Sequence, residues 1–137
     1  MSEQPLVRFE ERGLITIGHI EAASVLDALN VSTFGEQVLQ HVRKHPGGNL
    51  LLDFQRVKYL SSAVLTELLR ASKACKDGGG ELRLCGLNRD IHKVFEITNL
   101  DKMFTFYGPV DDAVIKFARS LSIQDKEEAW SHPEKEA

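Results

Sequence analysis

Two adjacent hydroxyl side chains, Ser61 and Ser62, stand where an apolar run gives way to an amphipathic segment. A serine at a helix start can serve as the N-cap, because its hydroxyl accepts a hydrogen bond from a free backbone N–H of the first turn. The same position suits a phosphate, since the free N–H groups and the positive end of the helix dipole both favour an anion. We therefore interpret Ser62 either as the N-cap of the helix or as a phosphoacceptor.

Other groups that could bind phosphate or metal have spacings that favour a structural role. The glycines at 78–80 follow a predicted helix and lead into a strand, whereas a phosphate-binding loop follows a strand and opens a helix with Lys-Ser or Lys-Thr. His41 and His45 are followed directly by Pro46, which indicates a helix end. None of the five histidines has a partner at a convincing metal spacing. We predict neither a metal nor a cofactor.

Nucleophilic catalysis also has little support in the sequence. No Gly-x-Ser-x-Gly nucleophile elbow is present. Cys75 falls inside a predicted helix and Cys85 at a strand end, and neither has an activating neighbour in the sequence. Two cysteines are too few for a disulfide framework, so we expect reduced thiols in the cytoplasm that act as small apolar core residues. We predict that the protein is not an enzyme.

Length and charge restrict the classes of partner. A chain of 137 residues is predicted to form one domain. Five acids and two lysines in the tail from Ser120 to Ala137 account for the formal net charge of −3, so the remainder is balanced. No basic face therefore indicates nucleic acid or an anionic membrane as the partner. No apolar stretch approaches the roughly 20 residues that span a bilayer, and no secretory signal is evident.

Hydrophobic periodicity predicts strands alternating with helices. In chain order, we predict strands over 6–9 and 14–20, a loop over 21–32, a helix containing Val38, Leu39 and Val42, a strand over 49–54, a helix over 62–76, a strand over 81–85, a helix over 89–97, a strand over 104–107 and a helix over 110–121. Three signals mark boundaries: Glu11 to Gly13 as a hairpin turn, Thr33 with Glu36 as a capping box, and Asn88 as an N-cap.

This order predicts an α/β fold with a mostly parallel sheet of about five strands and about four helices. The strand over 49–54 shows no polar residue after Asn49 until Asp53, so we expect both of its faces to be covered. We expect the domain to cover residues 1–121. Residues 122–137 lack apolar periodicity and are expected to form a disordered acidic tail.

Three segments of the chain carry a pattern in register. They are Leu51-Leu52-Asp53-Phe54 with a six-residue spacer and Ser61-Ser62-Ala63-Val64-Leu65, then Lys76 to Gly86 with its triple glycine, then Val94 to Leu100 followed by Phe104. Together they resemble the STAS domain family, which includes the bacterial anti-sigma-factor antagonists. The family pattern is an apolar strand that ends Asp-Leu, a short spacer, and Asp-Ser-Ser-Gly-Leu opening a helix. The similarity covers about residues 6–120.

The resemblance implies a STAS-like single domain with a curved sheet, and a cytoplasmic anti-sigma-factor antagonist that regulates transcription. Such an antagonist binds an anti-sigma factor that is a serine kinase. The kinase phosphorylates a serine at the start of the second helix, which breaks the complex, and a PP2C-type phosphatase restores it. By position, Ser62 matches that phosphoacceptor, with Ser61 as its supporting or alternative neighbour and Asp53 near the site.

Two positions beside the serines depart from the family pattern. Leu60 stands where the family has Asp, and Ala63 stands where it has Gly. The acid that the family pattern has soon after the second strand has no exact match here, and Glu21 and Asp27 are the two candidates for it. These departures favour an alternative, a STAS scaffold or sensory module that is not phosphorylated and that could form a homo-oligomer. A nucleotide-binding role, proposed for some STAS domains, lacks a phosphate loop here.

Overall fold

The computed structural model describes residues 6–21 and 30–122. Its elements are β1 (Val7–Arg12), β2 (Ile15–Ile20), α1 (Val31–Lys44), β3 (Asn49–Asp53), α2 (Ser62–Asp77), β4 (Leu82–Cys85), α3 (Arg89–Ile97), a short 3-10 helix (Leu100–Lys102), β5 (Phe106–Tyr107) and α4 (110–122). One sheet contains the strands in the order β1-β2-β3-β4-β5. Only β1 and β2 pair antiparallel among them. The predicted α/β fold, with a mostly parallel five-stranded sheet and four helices, is confirmed.

The sheet separates two apolar cores. On one face, Leu50 and Leu52 of β3 pack with buried residues of α1, α2 and α3. On the other face, Leu51 packs with Ala113 and Phe117 of α4. All three leucines are at most 2% exposed, which confirms that both faces of β3 are covered. β3 is central and parallel to both neighbours, and its carboxyl end leads into the loop that precedes α2.

Two predicted strand boundaries in this sheet are wrong. Arg12 pairs with Ile15, so the hairpin turn contains only Gly13 and Leu14, and the predicted turn residues Glu11 and Arg12 belong to β1. Gly13 has a φ of +60°, a conformation that glycine adopts without strain and that lets two residues close the hairpin. The last strand is also shorter than predicted and contains only Phe106–Tyr107.

The N-terminal boundaries of α1 and α3 had different outcomes. The capping box predicted at Thr33 and Glu36 is wrong, because α1 begins at Val31 and Thr33 lies within its first turn. Phe34 lies one turn before the predicted apolar face and is 1% exposed in the main core. Its burial favours a helix that begins earlier than the capping signal indicates. The N-cap prediction for Asn88 is confirmed, since its Oδ1 accepts from the backbone N–H of Ile91 at 2.8 Å.

The described residues stop near the predicted domain boundary. Ser122 is still helical, whereas residues 123–137 of the predicted tail and Asp27 of the predicted loop lie outside the described ranges. The extents of the domain and of the tail therefore stay predictions. Within residues 6–21 and 30–122, no helix combines the length and apolar character needed to cross a bilayer.

Candidate functional site

The serine pair lies at the junction between the loop that follows β3 and the first turn of α2. Ser61 occupies the N-cap position with an extended backbone, φ −84° and ψ 160°, and Ser62 is the first helical residue. The prediction that Ser62 is the N-cap is therefore wrong by one residue. The extended φ and ψ at Ser61 delay the first helical residue to Ser62.

The two serine side chains differ in access. Ser61 Oγ is buried, does not cap α2, and has no hydrogen-bond partner among the described residues. The backbone carbonyl of Ser61, rather than its hydroxyl, accepts from the N–H of Val64 at 3.1 Å. Ser62 is exposed, and so is Ala63 beside it. Ser62 is thus open to solvent, whereas the Ser61 hydroxyl is not.

Leu60 anchors the end of the loop in the main core. Its side chain is half-buried and packs against the buried cluster under α2 and α3. The preceding residue, Tyr59, is instead 59% exposed. The first turn of α2 contains no acidic residue, so its positive dipole end is not neutralised by the helix's own side chains. The junction thus presents an exposed tyrosine, an exposed hydroxyl and an electropositive helix start.

Side chains from two other elements hold this loop in place. Asp53 Oδ1 accepts a hydrogen bond from the backbone N–H of Gln55 at 3.0 Å. Asn88 Nδ2 donates to the carbonyl of Lys58 at 3.0 Å and lies 3.4 Å from that of Val57. Asn88 therefore caps α3 with its oxygen and holds the loop with its nitrogen. This second role was not predicted, because a capping motif gives no sign of a contact 30 residues away.

A third connection joins the loop to the first two strands. Glu21, directly after β2, pairs with Arg56 of the loop at 3.1 Å and with Arg8 of β1 at 3.3 Å. Although partial burial raises the pKa of Glu21, the hydrogen bonds from Arg56 and Arg8 outweigh it and lower that pKa. These pairs are largely exposed, so each contributes little to stability. Of the two predicted acids after β2, Glu21 thus contacts the loop, whereas the placement of Asp27 is not described.

Asp53 is buried and belongs to a row of hydrogen-bonded charged side chains that was not predicted from the sequence. Its Oδ2 lies 2.9 Å from His19 Nδ1, and His19 Nε2 lies 2.8 Å from Glu10 Oε1. Glu10 Oε2 accepts from Arg12 Nε at 2.8 Å. Arg12 in turn lies 3.4 Å from Asp111 of α4. His19 lies beside Asp53 because β2 and β3 pair in parallel. The sequence indicates both strands, but the spacing of the residues does not give the register in which they pair.

Among the described residues, groups that could bind a metal ion do not gather at the junction. Within the described ranges, no three His, Cys, Asp or Glu side chains are placed to hold a metal ion. Cys75 and Cys85 are free and buried, as predicted for core residues. Burial raises the pKa of Cys75 to about 11, and burial together with Asp53 raises that of Cys85 to about 12. Both thiols are protonated near neutral pH and are poor nucleophiles.

Comparisons with known proteins agree on a fold and a family. A model of the STAS domain family matches residues 7–113. BtrV of Bordetella bronchiseptica, which is named for an anti-sigma factor antagonist role, is 33% identical over 72 residues; the alignment covers 53% of this chain and 62% of that protein, less than two thirds of its length.

Two solved structures show the same fold at low identity. A STAS domain protein from Planctomyces limnophilus has a TM-score of 0.75 at 20% identity, covering 82% of this chain and 97% of the other. The phosphorylated form of SpoIIAA, a Bacillus cell fate determinant, has a TM-score of 0.62 at 13% identity, covering 82% of this chain and 98% of the other. At these identities the likeness establishes the arrangement of strands and helices.

Proposed function

The chain belongs to the STAS domain family, and from this membership we propose that it is an anti-sigma-factor antagonist whose binding is switched by phosphorylation of Ser62. The name of the related BtrV supports the antagonist role. The existence of a phosphorylated form of SpoIIAA, which shares the fold, supports control by phosphate. The observation that carries the proposal is the contrast in access, with Ser62 exposed and Ser61 Oγ buried.

A phosphate on Ser62 is compatible with the fold of the free protein. It adds about −1.5 to −2 charges at neutral pH. The first turn of α2 has no acid to repel it, and an anion at a helix N-terminus is favourable by about 0.3–1 kcal/mol. The phosphate therefore acts on the partner rather than on the fold. At a contact surface it adds charge that must be desolvated, which weakens the complex.

The partners follow from the same proposal. The protein that binds the junction is an anti-sigma factor with serine kinase activity, and a PP2C-type phosphatase removes the phosphate. Both meet the antagonist in the bacterial cytoplasm, where sigma factors act. Tyr59, Ser62 and Ala63 are the exposed residues that we place in the contact. The loop clamps from Asp53 and Asn88 would present these side chains in one geometry.

The test is incubation with a cognate anti-sigma serine kinase and ATP, followed by mass spectrometry. We expect one phosphate, on Ser62. Ser62→Ala should bind the kinase without being modified, and Ser62→Asp should bind it at least about tenfold more weakly, since a buried unpaired charge costs several kcal/mol. Ser61→Ala is the matched control and should still be phosphorylated on Ser62. An unmodified Ser62, together with unchanged binding by Ser62→Asp, would refute the switch.

A second function is favoured by the packing of Leu60. Where the family has an acid, this chain has an apolar side chain turned into the core, which removes an acidic neighbour from Ser62. A constitutive STAS scaffold would use the same exposed junction without phosphorylation and could assemble with itself. Light scattering distinguishes the two functions. Self-association that Ser62→Asp leaves intact supports the scaffold, whereas a monomer that binds the kinase only when unphosphorylated supports the switch.

A further inference from the structure

We propose that the outer edge of β1 binds the same edge of a second copy of this chain, antiparallel and about a two-fold axis at Phe9. This surface lies at one end of the sheet, two strands away from β3, which leads to the serine junction. The pairing is therefore separate from the proposed role of Ser62. It rests on the backbone groups that β1 leaves unpaired, on the order of charges along the strand, and on the groove beside it.

β1 pairs with β2 on one side only and is an edge of the sheet. The N–H of Glu21 donates to the carbonyl of Leu6 at 2.7 Å, so the backbone of Leu6 faces β2. Backbone groups alternate along an antiparallel strand, so those of Val7, Phe9 and Glu11 face away from the sheet. With six residues, β1 is long enough to pair again, whereas the other edge strand, β5, has only two.

A two-fold axis at Phe9 matches donors to acceptors across the two edges. Each Phe9 lies opposite the other, so each N–H can donate to the carbonyl of its counterpart. Glu11 lies opposite Val7 of the second copy, and its N–H can donate to that carbonyl. The N–H of Val7 keeps the bond that it already makes to Gln37 Oε1 at 3.2 Å. Unpaired backbone groups of an edge strand are a template for such pairing.

The order of charges along β1 favours this register. Arg8 and Glu10 lie on the face opposite to Phe9, and each stands across from the other type in the second copy, so two ion pairs form by symmetry. A shift that sets Phe9 opposite Val7 brings Arg8 against Arg8, and a shift that sets it opposite Glu11 brings Glu10 against Glu10. Charged side chains usually block the pairing of edges, but here they oppose only the neighbouring registers.

Arg8 and Glu10 have partners within the chain and can take another. Arg8 is 56% exposed and lies 3.3 Å from Glu21. Glu10 is 35% exposed and lies 2.8 Å from Arg12 and from His19. A guanidinium has five N–H donors and an ionised carboxylate about four acceptor sites. Each side chain can therefore join an ion pair across the axis without giving up its present contacts.

The opposite face of β1 has room for the second copy. A groove of about 330 Å³ runs between β1 and α1, and its walls include Phe9, Gln37, Gln40 and His41. The half-buried ring of Phe9 stacks on that of His41, with ring centroids 3.9 Å apart. The Phe9 ring of the second copy enters this groove beside the first, and aromatic pairs directly across two strands are favourable. The interface thus has an aromatic contact on one face and ion pairs on the other.

The pairing leaves the serine junctions accessible. It joins the two sheets into one of ten strands, five from each copy. The two-fold axis makes the two β3 strands antiparallel, so their carboxyl ends lie at opposite margins of the joined sheet. The dimer therefore presents two Ser62 sites that face in opposite directions, and each can bind a partner without contact with the other.

Cysteine cross-linking of the full chain tests the register. Residues directly opposite in a hydrogen-bonded pair have Cα atoms about 5.5 Å apart, within the range of a disulfide. Phe9→Cys should therefore form a covalent dimer under mild oxidation at about 1 mM protein. Glu11→Cys is the matched control, because the two copies of this residue are four positions, or about 14 Å, out of register. Cys75 and Cys85 are buried. No dimer in Phe9→Cys, or equal amounts in both variants, would overturn the proposal.

Exchange of the two charges tests the ion pairs, with self-association measured by analytical ultracentrifugation. Arg8→Glu and Glu10→Lys each set like charges opposite one another twice, so each should weaken the dimer at least about tenfold. An equimolar mixture of the two variants should restore it, because the acids of one chain then face the bases of the other. Arg70→Glu is the matched control, since Arg70 is 58% exposed and pairs with a single acid, Glu67, at 3.2 Å on α2.

The wild type and the control should dimerise alike. A wild type that stays monomeric up to about 1 mM would overturn the proposal. So would a dimer that persists in Arg8→Glu, which would assign self-association to another surface such as the serine junction. If Glu10→Lys does not fold, the comparison of Arg8→Glu with Arg70→Glu decides. None of these measurements uses a kinase, so a failure of the Ser62 switch leaves their outcome unchanged.

Discussion

The two faces of the sheet are built from different chemistry. The face under α1, α2 and α3 is apolar at its centre, where Leu52 and Leu84 of the sheet and Phe95 of α3 are completely buried. The opposite face combines an apolar cluster beneath α4 with largely buried polar and charged side chains, among them Asp53, His19 and Arg83. Apolar packing is strong and non-directional, whereas hydrogen-bonded charges contribute less free energy but set positions narrowly. The first face therefore contributes the larger apolar core, and Asp53 on the second adds a directional hydrogen bond to the serine loop.

The largest effect that this comparison predicts is on the apolar face. Leu52→Ala removes a completely buried side chain next to Gly18 and should lower the free energy of unfolding by about 2–5 kcal/mol. Urea unfolding measures it. Leu14→Ala is the control, because Leu14 is 65% exposed in the hairpin turn and should change stability by no more than about 0.5 kcal/mol. A similar loss in both variants would contradict the assignment of stability to the buried face.

On the charged face, Asp53→Ala should cost less stability and disturb the loop more. It leaves the Gln55 N–H and a ring nitrogen of His19 without their acceptor, which should lower the free energy of unfolding by about 1–3 kcal/mol. The amides of Gln55 to Ser62 should shift in NMR spectra, whereas those of α1 should not. Asp53→Asn keeps an oxygen for the Gln55 N–H and should shift them less. Equal shifts in the two variants would show that the loop does not depend on this bond.

A third prediction separates the two roles of Asn88. Asn88→Ala should lose the α3 cap, worth about 1 kcal/mol, together with the contact to the loop carbonyls. Asn88→Asp keeps the capping oxygen and removes the nitrogen that donates to Lys58. It should therefore retain most of the stability, measured by thermal unfolding, while hydrogen exchange increases in the loop. Loss of the same stability in both variants would mean that the cap and the clamp cannot be separated.

The contrast between the faces also explains what could be predicted from the sequence. The buried strand, the cap at Asn88 and the helix start near Ser62 are local patterns, so neighbouring residues suffice to find them. The early start of α1 was missed because burial of Phe34 overrides the local capping signal. The contact between His19 and Asp53 joins residues 34 apart and depends on strand register, to which no short motif refers.

The smallest expected effect distinguishes the two neighbouring serines. If Ser61 acted as an ordinary N-cap, Ser61→Ala would lower the free energy of unfolding by about 1 kcal/mol. Its buried Oγ instead has no hydrogen-bond partner among the described residues, so the substitution removes a desolvated polar group and loses no bond. We expect a change between zero and a slight gain in stability.

Urea unfolding of Ser61→Ala beside Ser62→Ala makes this measurement, and Ser62 is the matched control because its hydroxyl is exposed. Neither variant should lose more than about 0.5 kcal/mol, the range of an ordinary surface substitution. A loss near 1 kcal/mol in Ser61→Ala alone would show that its hydroxyl caps α2 in solution. The buried hydroxyl of Ser61 would then act as a cap. In that case only the phosphorylation experiment would distinguish the two serines.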